Sequence, residues 1–295
     1  MRKRFEQSAK RLLKNIFLCG LYDNAYLDVE NSKKVAACEE FCEKGFEAQL
    51  KSIVLLKNNG VLPLKEKVKV YVPNRKILAG KTFFRTDCPE RECEGSSKEI
   101  ISQYFEWVDT LEEADAAIVF AESPISECYS EKDVEEGGNG YLPISLQYRP
   151  YEAIHARTES IAGGDFRENF ANRSYAKKTG TARNESDLDN IIHAKEVLKE
   201  KPVIVCMRMH HAMVMAEVEP YADAILVDFG VQHDALLQMI KGVAEPQGRL
   251  PIQLPKDMET VEKHCEDKPF DLEPYEDSVG NVYDYGFGLN WNGKI

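Results

Sequence analysis

The sequence predicts an α/β fold built on a mostly parallel sheet. Four short apolar runs recur along the chain: Val68–Val72, Ala116–Phe120, Val203–Met207 and Ala224–Phe229. Each is β-branched or wholly apolar rather than alternating, the pattern of strands covered on both faces. Helical patterns separate several of them, notably Leu188–Leu198 and Asp234–Lys241. Strand and helix alternating in this way define a doubly wound or sandwich architecture.

Taken in order, the first element is an amphipathic helix. Phe5, Ala9, Leu12, Leu13, Ile16 and Phe17 fall at steps of three and four, which places them on one helical stripe. Gly20 stands where a C-terminal cap belongs. A polar and aromatic connector, Leu21–Asp28, follows, and then a second helical pattern from about Lys33 to Lys51 through Val35, Cys38, Phe41, Cys42, Phe46 and Leu50. The run Ser52–Asn58 is extended in character and ends at Asn59-Gly60, a turn signal. From Tyr129 to about Arg183 the chain is rich in Gly, Asn, Ser and Tyr, with Gly137-Gly138-Asn139-Gly140 and Gly163-Gly164-Asp165 inside it. An irregular insertion of that length in an otherwise periodic domain points to function or to a partner.

Composition narrows the function classes. Hydrophobic residues make up 43% of the 295, enough for a substantial core. The formal net charge of −12 disfavours unaided binding to nucleic acid or to an anionic membrane, and leaves binding of a neutral sugar unaffected. No run reaches the apolar length needed to span a bilayer. Met1-Arg2-Lys3-Arg4 is basic like a signal sequence, but the charged Phe5–Arg11 segment takes the place of the apolar stretch such a signal needs. The eight cysteines include no CxxC pair and no His/Cys cluster at metal-ligand spacing, so reduced structural thiols in a cytoplasmic protein are expected, with no metal and no organic cofactor.

Five segments, in order along nearly the whole chain, carry a family resemblance. They are Arg11–Tyr26; Ser52–Asn58 with Leu62-Pro63-Leu64; Pro220–Leu226; Gly248-Arg249-Leu250-Pro251 running on to Pro255; and Tyr285-Gly286-Phe287-Gly288-Leu289-Asn290-Trp291. Taken singly each has a bland reading, as a buried strand, a turn before an edge strand or a glycine bend. Together they resemble glycoside hydrolase family 3, the β-glucosidase and β-xylosidase group. The resemblance implies a three-layer α/β sandwich, the family's C-terminal second domain. Residues 1–32 then correspond to the last helix of the family's N-terminal barrel plus the interdomain linker, and residues 33–295 to the sandwich.

Retaining glycosidases use two carboxyl groups about 5–5.5 Å apart, one as nucleophile and one as acid/base. In the family resembled here the nucleophile is a barrel aspartate, which has no counterpart in this sequence, so hydrolysis by the chain alone is not expected. The acid/base of many members comes from a second-domain loop, and the matching region is Glu122–Tyr141. It departs from the family's Ser-Glu-Gly pattern leading to Asp-Arg. Glu131 and Glu127 are the candidates and Asp133 a weaker one, against the alternative that the acidic run is a solvated surface. His210-His211 follows a strand at the end where open α/β sheets place ligands, although adjacent residues on an extended chain face opposite ways. Trp107 and Trp291 could stack on a sugar, with core packing the default reading.

The expected partner is therefore a family 3 barrel domain or subunit, with a β-linked sugar as shared ligand. Alternatively, the apolar stripe of the first helix mediates self-association. Rival functions are a non-catalytic carbohydrate-binding module, which would take sugars unaided, and a structural or oligomerisation module, in which Glu127 and Glu131 would be dispensable. Neither GxGxxG nor GxxxxGK[ST] follows a strand, which removes the usual signal for a nucleotide.

Overall fold

The protein's computed structural model describes residues 2–64, 68–81, 86–159, 172–265 and 268–295; the Gly163-Gly164-Asp165 segment lies outside them. The chain divides into two compact units, Met1–Ala48 and Gln49–Ile295. In the first, helix α1 spans Arg2–Leu18 and buries none of its side chains. Its end is the expected glycine cap. Gly20, at φ +67°, donates to Phe17 O (3.0 Å) and Leu21 donates to Ile16 O (3.1 Å), the paired bonds of a Schellman turn.

The second helical pattern is realised as two helices, α2 (Val29–Val35) and α3 (Glu39–Ser52). Asp28 caps α2 by accepting from Asn31 N at 3.0 Å. The break falls at Ala37, whose φ of +55° stops the hydrogen-bond ladder. Apolar spacing runs straight across this point through Val35, Cys38 and Phe41, so periodicity carries no sign of it.

The second unit is organised on an eight-stranded mixed sheet. Its strands are β1 (Val54–Asn58), β2 (Lys69–Tyr71), β3 (Glu106–Trp107), β4 (Ala116–Glu122), β5 (Val203–Arg208), β6 (Ala224–Asp228), β7 (Leu289–Asn290) and β8 (Gly293–Lys294). The spatial order is β8-β7-β1-β6-β5-β4-β2-β3. From β6 to β3 every neighbouring pair is parallel; β1, β7 and β8 add an antiparallel edge. The four apolar runs are thus β2, β4, β5 and β6, and the last three are buried at nearly every position.

Two helices cover opposite faces. In α6 (Ser186–Leu198), Leu188, Ile191, Ala194 and Leu198 share one core with Ala117, Val119 and Ala121 of β4 and with Val205 and Met207 of β5. Side chains alternate along a strand, so Phe120 points the other way. There its ring lies 4.4 Å from that of His233, at the start of α7 (His233–Lys241). Helix, sheet and helix form the layered arrangement expected of an α/β sandwich. The remaining short helices, α4 (Lys98–Ile101), α5 (Glu131–Glu135) and α8 (Met258–Lys263), sit in connections.

Candidate functional site

The chain leaves β4 at Glu122 and enters the loop that carries the acidic candidates. Both glutamates converge on one lysine. Lys81 N donates to Glu127 Oε1 at 2.6 Å, and Lys81 Nζ lies 2.7 Å from Glu131 Oε2. Glu127 packs against Gly80, where an added Cβ would stand only 2.2 Å from Glu127 Oε1. Glu131 opens α5 with its side chain 57% exposed, and Ser130 caps that helix by accepting from Asp133 N at 3.2 Å. Asp133 plays a different part: it accepts from Lys178 Nζ at 2.5 Å and from Gly140 N at 2.7 Å. Lys178, aided by the Gly140 amide, holds the Asp133 carboxyl below its usual range against the opposing effect of burial. Asp133 thus fastens the glycine-rich turn onto the loop's far side, which is the role of a brace.

Beside this loop, a half-open cavity of about 200 Å³ lies at the C-terminal ends of β4, β5 and β6. Open α/β sheets bind ligands at that edge. Arg75, Glu122, Arg208, Asp228 and His233 line it, with Phe120 and Cys206 as apolar wall. Arg75 makes a fork of two 2.8 Å bonds to Asp187, which is fully buried, and reaches Glu122 Oε1 at 3.2 Å. Burial alone would lower the Arg75 pKa, but Asp187 and Glu122 hold it above its usual value. Burial likewise pushes Glu122 up, and Arg75, helped by His210 and Arg208, pulls it below the usual carboxylate range. Asp228 accepts from Gly230 N (2.7 Å) and Val231 N (3.0 Å) through Oδ1, which Arg208 Nε approaches at 3.4 Å. His233 is held low by burial and then by the charge of Arg208, with Nδ1 2.9 Å from Ser96 Oγ.

The other sequence candidates separate. His211 sets both ring nitrogens against carbonyl oxygens, Ala212 O at 2.7 Å and Pro124 O at 3.1 Å, which pins two loops together. His210 stays more exposed, with Nε2 3.9 Å from Glu122 Oε2. Trp107 lies on the sheet edge, donating to Asp109 Oδ1 at 2.8 Å beneath the Lys98 ammonium. Trp291 sits in the β7–β8 turn. The cavity residues were not picked out in the sequence. Arg208 and Asp228 could have been, since each ends a parallel strand; Arg75 could not, because its short strand Arg75–Ile77 gives no periodic signal. Among the described residues no group of three or more His, Cys, Asp or Glu is placed to hold a metal ion.

This sheet order, with helices on both faces, defines a doubly wound α/β domain. The family model described as the glycosyl hydrolase family 3 C-terminal domain matches residues 53–291, and the chain belongs to that family. Beta-glucosidase C of Emericella nidulans is 29% identical over 291 residues, covering 98% of this chain and 36% of that protein. A putative beta-xylosidase of Formosa agariphila is 26% identical, covering 99% of this chain and 37% of the relative. Among solved structures, the β-glucosidase of Listeria innocua in complex with isofagomine aligns with 92% of this chain and 37% of its own, at TM-score 0.53 and 14% identity. At that identity the likeness concerns the fold. The chain spans about a third of the length of the curated relatives it matches.

Proposed function

We propose that the chain serves as the second domain of a β-glucosidase-like family 3 glycoside hydrolase in carbohydrate metabolism. In this reading it completes the sugar site of a barrel domain or subunit and is inactive without it. Residues 1–32 belong with the barrel side and linker, residues 33–295 with the sandwich. The observation that carries the reading is the convergence of Glu127 and Glu131 on Lys81, on the loop that leaves β4. Glu131 is the exposed member of the pair and takes the role of acid/base. Glu127 fixes the backbone of Lys81 and so positions the loop. Once the Lys81 contact opens, the Glu131 carboxyl has a path to a glycosidic oxygen delivered by the barrel. Among the described residues no helix is long and apolar enough to cross a membrane. All eight cysteines are unpaired, which suits a reducing, cytoplasmic setting.

The test is hydrolysis of aryl β-glucosides and β-xylosides by the purified chain, without and with a co-expressed family 3 barrel. Turnover is expected only in the mixture. There, Glu131→Gln should cost roughly 10²–10⁴-fold for a poor leaving group, which needs a proton, and far less for an acidic phenol, which does not. Turnover by the chain alone, or a Glu131→Gln effect blind to the leaving group, would sink the proposal.

A further inference from the structure

We infer that the cavity at the C-terminal ends of β4, β5 and β6 is a binding site for a monosaccharide-sized polyol, a cyclic ligand carrying vicinal hydroxyls, which this domain takes without a barrel. The cavity, of about 200 Å³, has the size for one such ring. Its polar groups range from buried to partly exposed, the Glu122 and Arg208 side chains being 22% and 30% exposed. Arg75 is 8% exposed and Asp228 1%.

Those groups have hydrogen-bonding capacity left over. Among the described residues Arg208 spends Nε and Nη2 on Asp228 and on Val231 O (2.8 Å), leaving Nη1 without a protein partner. Asp228 engages the chain through Oδ1 alone, so Oδ2 is a second lone acceptor on a side chain almost wholly withdrawn from water. Glu122 meets Arg75 with Oε1, and Oε2 has only the distant His210. His233 occupies Nδ1 with Ser96 and keeps Nε2 open. These atoms face the cavity, where a ligand hydroxyl can take the place of solvent on each of them.

The pattern selects the chemistry. Two carboxylate acceptors and one guanidinium donor around a small space match adjacent hydroxyls, each of which both donates and accepts. An anion would face the carboxylates of Glu122, Asp228 and the nearby Glu94, with Arg75 already committed to Asp187. Phe120, 5% exposed and with its ring against that of His233, adds apolar lining. Cys206, the register partner of Phe120 on β5, stands beside it; burial pushes its thiol well above the ordinary range, so it acts as wall and not as nucleophile.

The inference needs neither a barrel nor hydrolysis, so its test stands apart from the acid/base assignment. The ¹⁵N-labelled chain is titrated with D-glucose, D-xylose, myo-inositol and D-glucosamine, and amide shifts are followed. Saturable shifts confined to Gly95, Ala121, Arg208 and His233 are expected for the neutral polyols, with Kd on the order of 1 mM. Arg208→Gln should weaken binding by roughly tenfold or more. Should that variant not fold, the location of the shifts in the unaltered chain still decides. No saturable shift, shifts centred elsewhere, or binding of D-glucosamine alone would overturn the inference, the last in favour of a cationic ligand.

Discussion

Lys57 Nζ stands 2.5 Å from Glu219 Oε1, with the two side chains 5% and 2% exposed, at the point where β1 bulges against β6. The same ammonium donates to Glu219 O at 2.8 Å, while Tyr275 Oη and Ser278 Oγ supply further donors to the carboxylate. Burial pushes the Glu219 pKa up, and the Lys57 and Ser278 contacts outweigh it and hold the group below its usual value. Its contribution to stability is therefore fully present above the ordinary carboxylate range and is lost as pH falls through the depressed folded value. Lys57→Met would strand a buried charge and should destabilise by about 3–5 kcal/mol. Urea midpoints at neutral and acidic pH check both points: the single variant should lose most at neutral pH, where Glu219 is ionised. A loss under about 1 kcal/mol would mean that the pair is hydrated.

The Gly-Arg-Leu-Pro and Tyr-Gly-Phe-Gly-Leu segments, two of the motifs that carried the family resemblance, meet each other across the chain. Leu250 N donates to Phe287 O and Gly286 N to Leu250 O, each at 2.8 Å. A Cβ on Gly288 would lie 2.3 Å from Gly248 O, and one on Gly248 would lie 2.4 Å from Ile53 O. Both obstacles are backbone, which cannot swing aside. Gly288→Ala and Gly248→Ala should each cost about 1–3 kcal/mol through overpacking. Gly286 has open space around it but a φ of +81°, so Gly286→Ala should cost about 1–2 kcal/mol through backbone strain alone. Chemical denaturation of the three variants tests this, and a neutral Gly288→Ala would show that the two segments separate in solution.

The fold was legible because its determinants are local. Runs such as Ala116–Phe120 and Val203–Met207 announce strands buried on both faces by composition alone, and the Gly20 cap follows from a single residue type. What stayed hidden depends on long-range pairing. Glu127 and Glu131 could be named as acidic loop residues, but Lys81, some fifty positions earlier, gives no sign that it joins them. Arg75 and Asp187 are 112 residues apart, and an arginine in a short strand reads as surface until its partner is placed. The antiparallel entry of β1 was equally invisible, since a buried strand has the same composition in either direction.

His233 gives the cavity a pH signature. Burial, then Arg208 and Arg75, lower its pKa, while Asp228 and Glu122 act in the opposite sense. A histidine whose folded pKa is depressed adds stability that is fully present above its unfolded value of about 6.5 and is lost as pH falls through the folded value. Stability should accordingly decline below about pH 6.5, and His233→Gln, which keeps a partner for Ser96, should flatten that part of the profile. Urea titrations of both proteins across this range decide it; identical slopes would mean that His233 is solvated.

Around the candidate acid, two ion pairs should behave in opposite ways. Lys81 and Glu131 are both well exposed, and such pairs contribute about 0–1 kcal/mol, so Lys81→Met should leave stability almost unchanged. Asp133 and Lys178 are mostly covered, and Asp133 also closes the glycine turn through Gly140 N while Lys178 reaches Asn139 Oδ1 at 2.7 Å. Asp133→Ala removes the centre of that brace and should expose the Gly137–Gly140 turn to proteolysis with the sheet intact. The measurement is limited proteolysis with cleavage sites mapped, alongside amide exchange at Gly140. Rapid nicking in Asp133→Ala but not in Lys81→Met would separate the brace from the contact that holds the acid. Equal resistance in both would show that the loop is fixed by its other anchors, and that Asp133 is only a surface carboxylate.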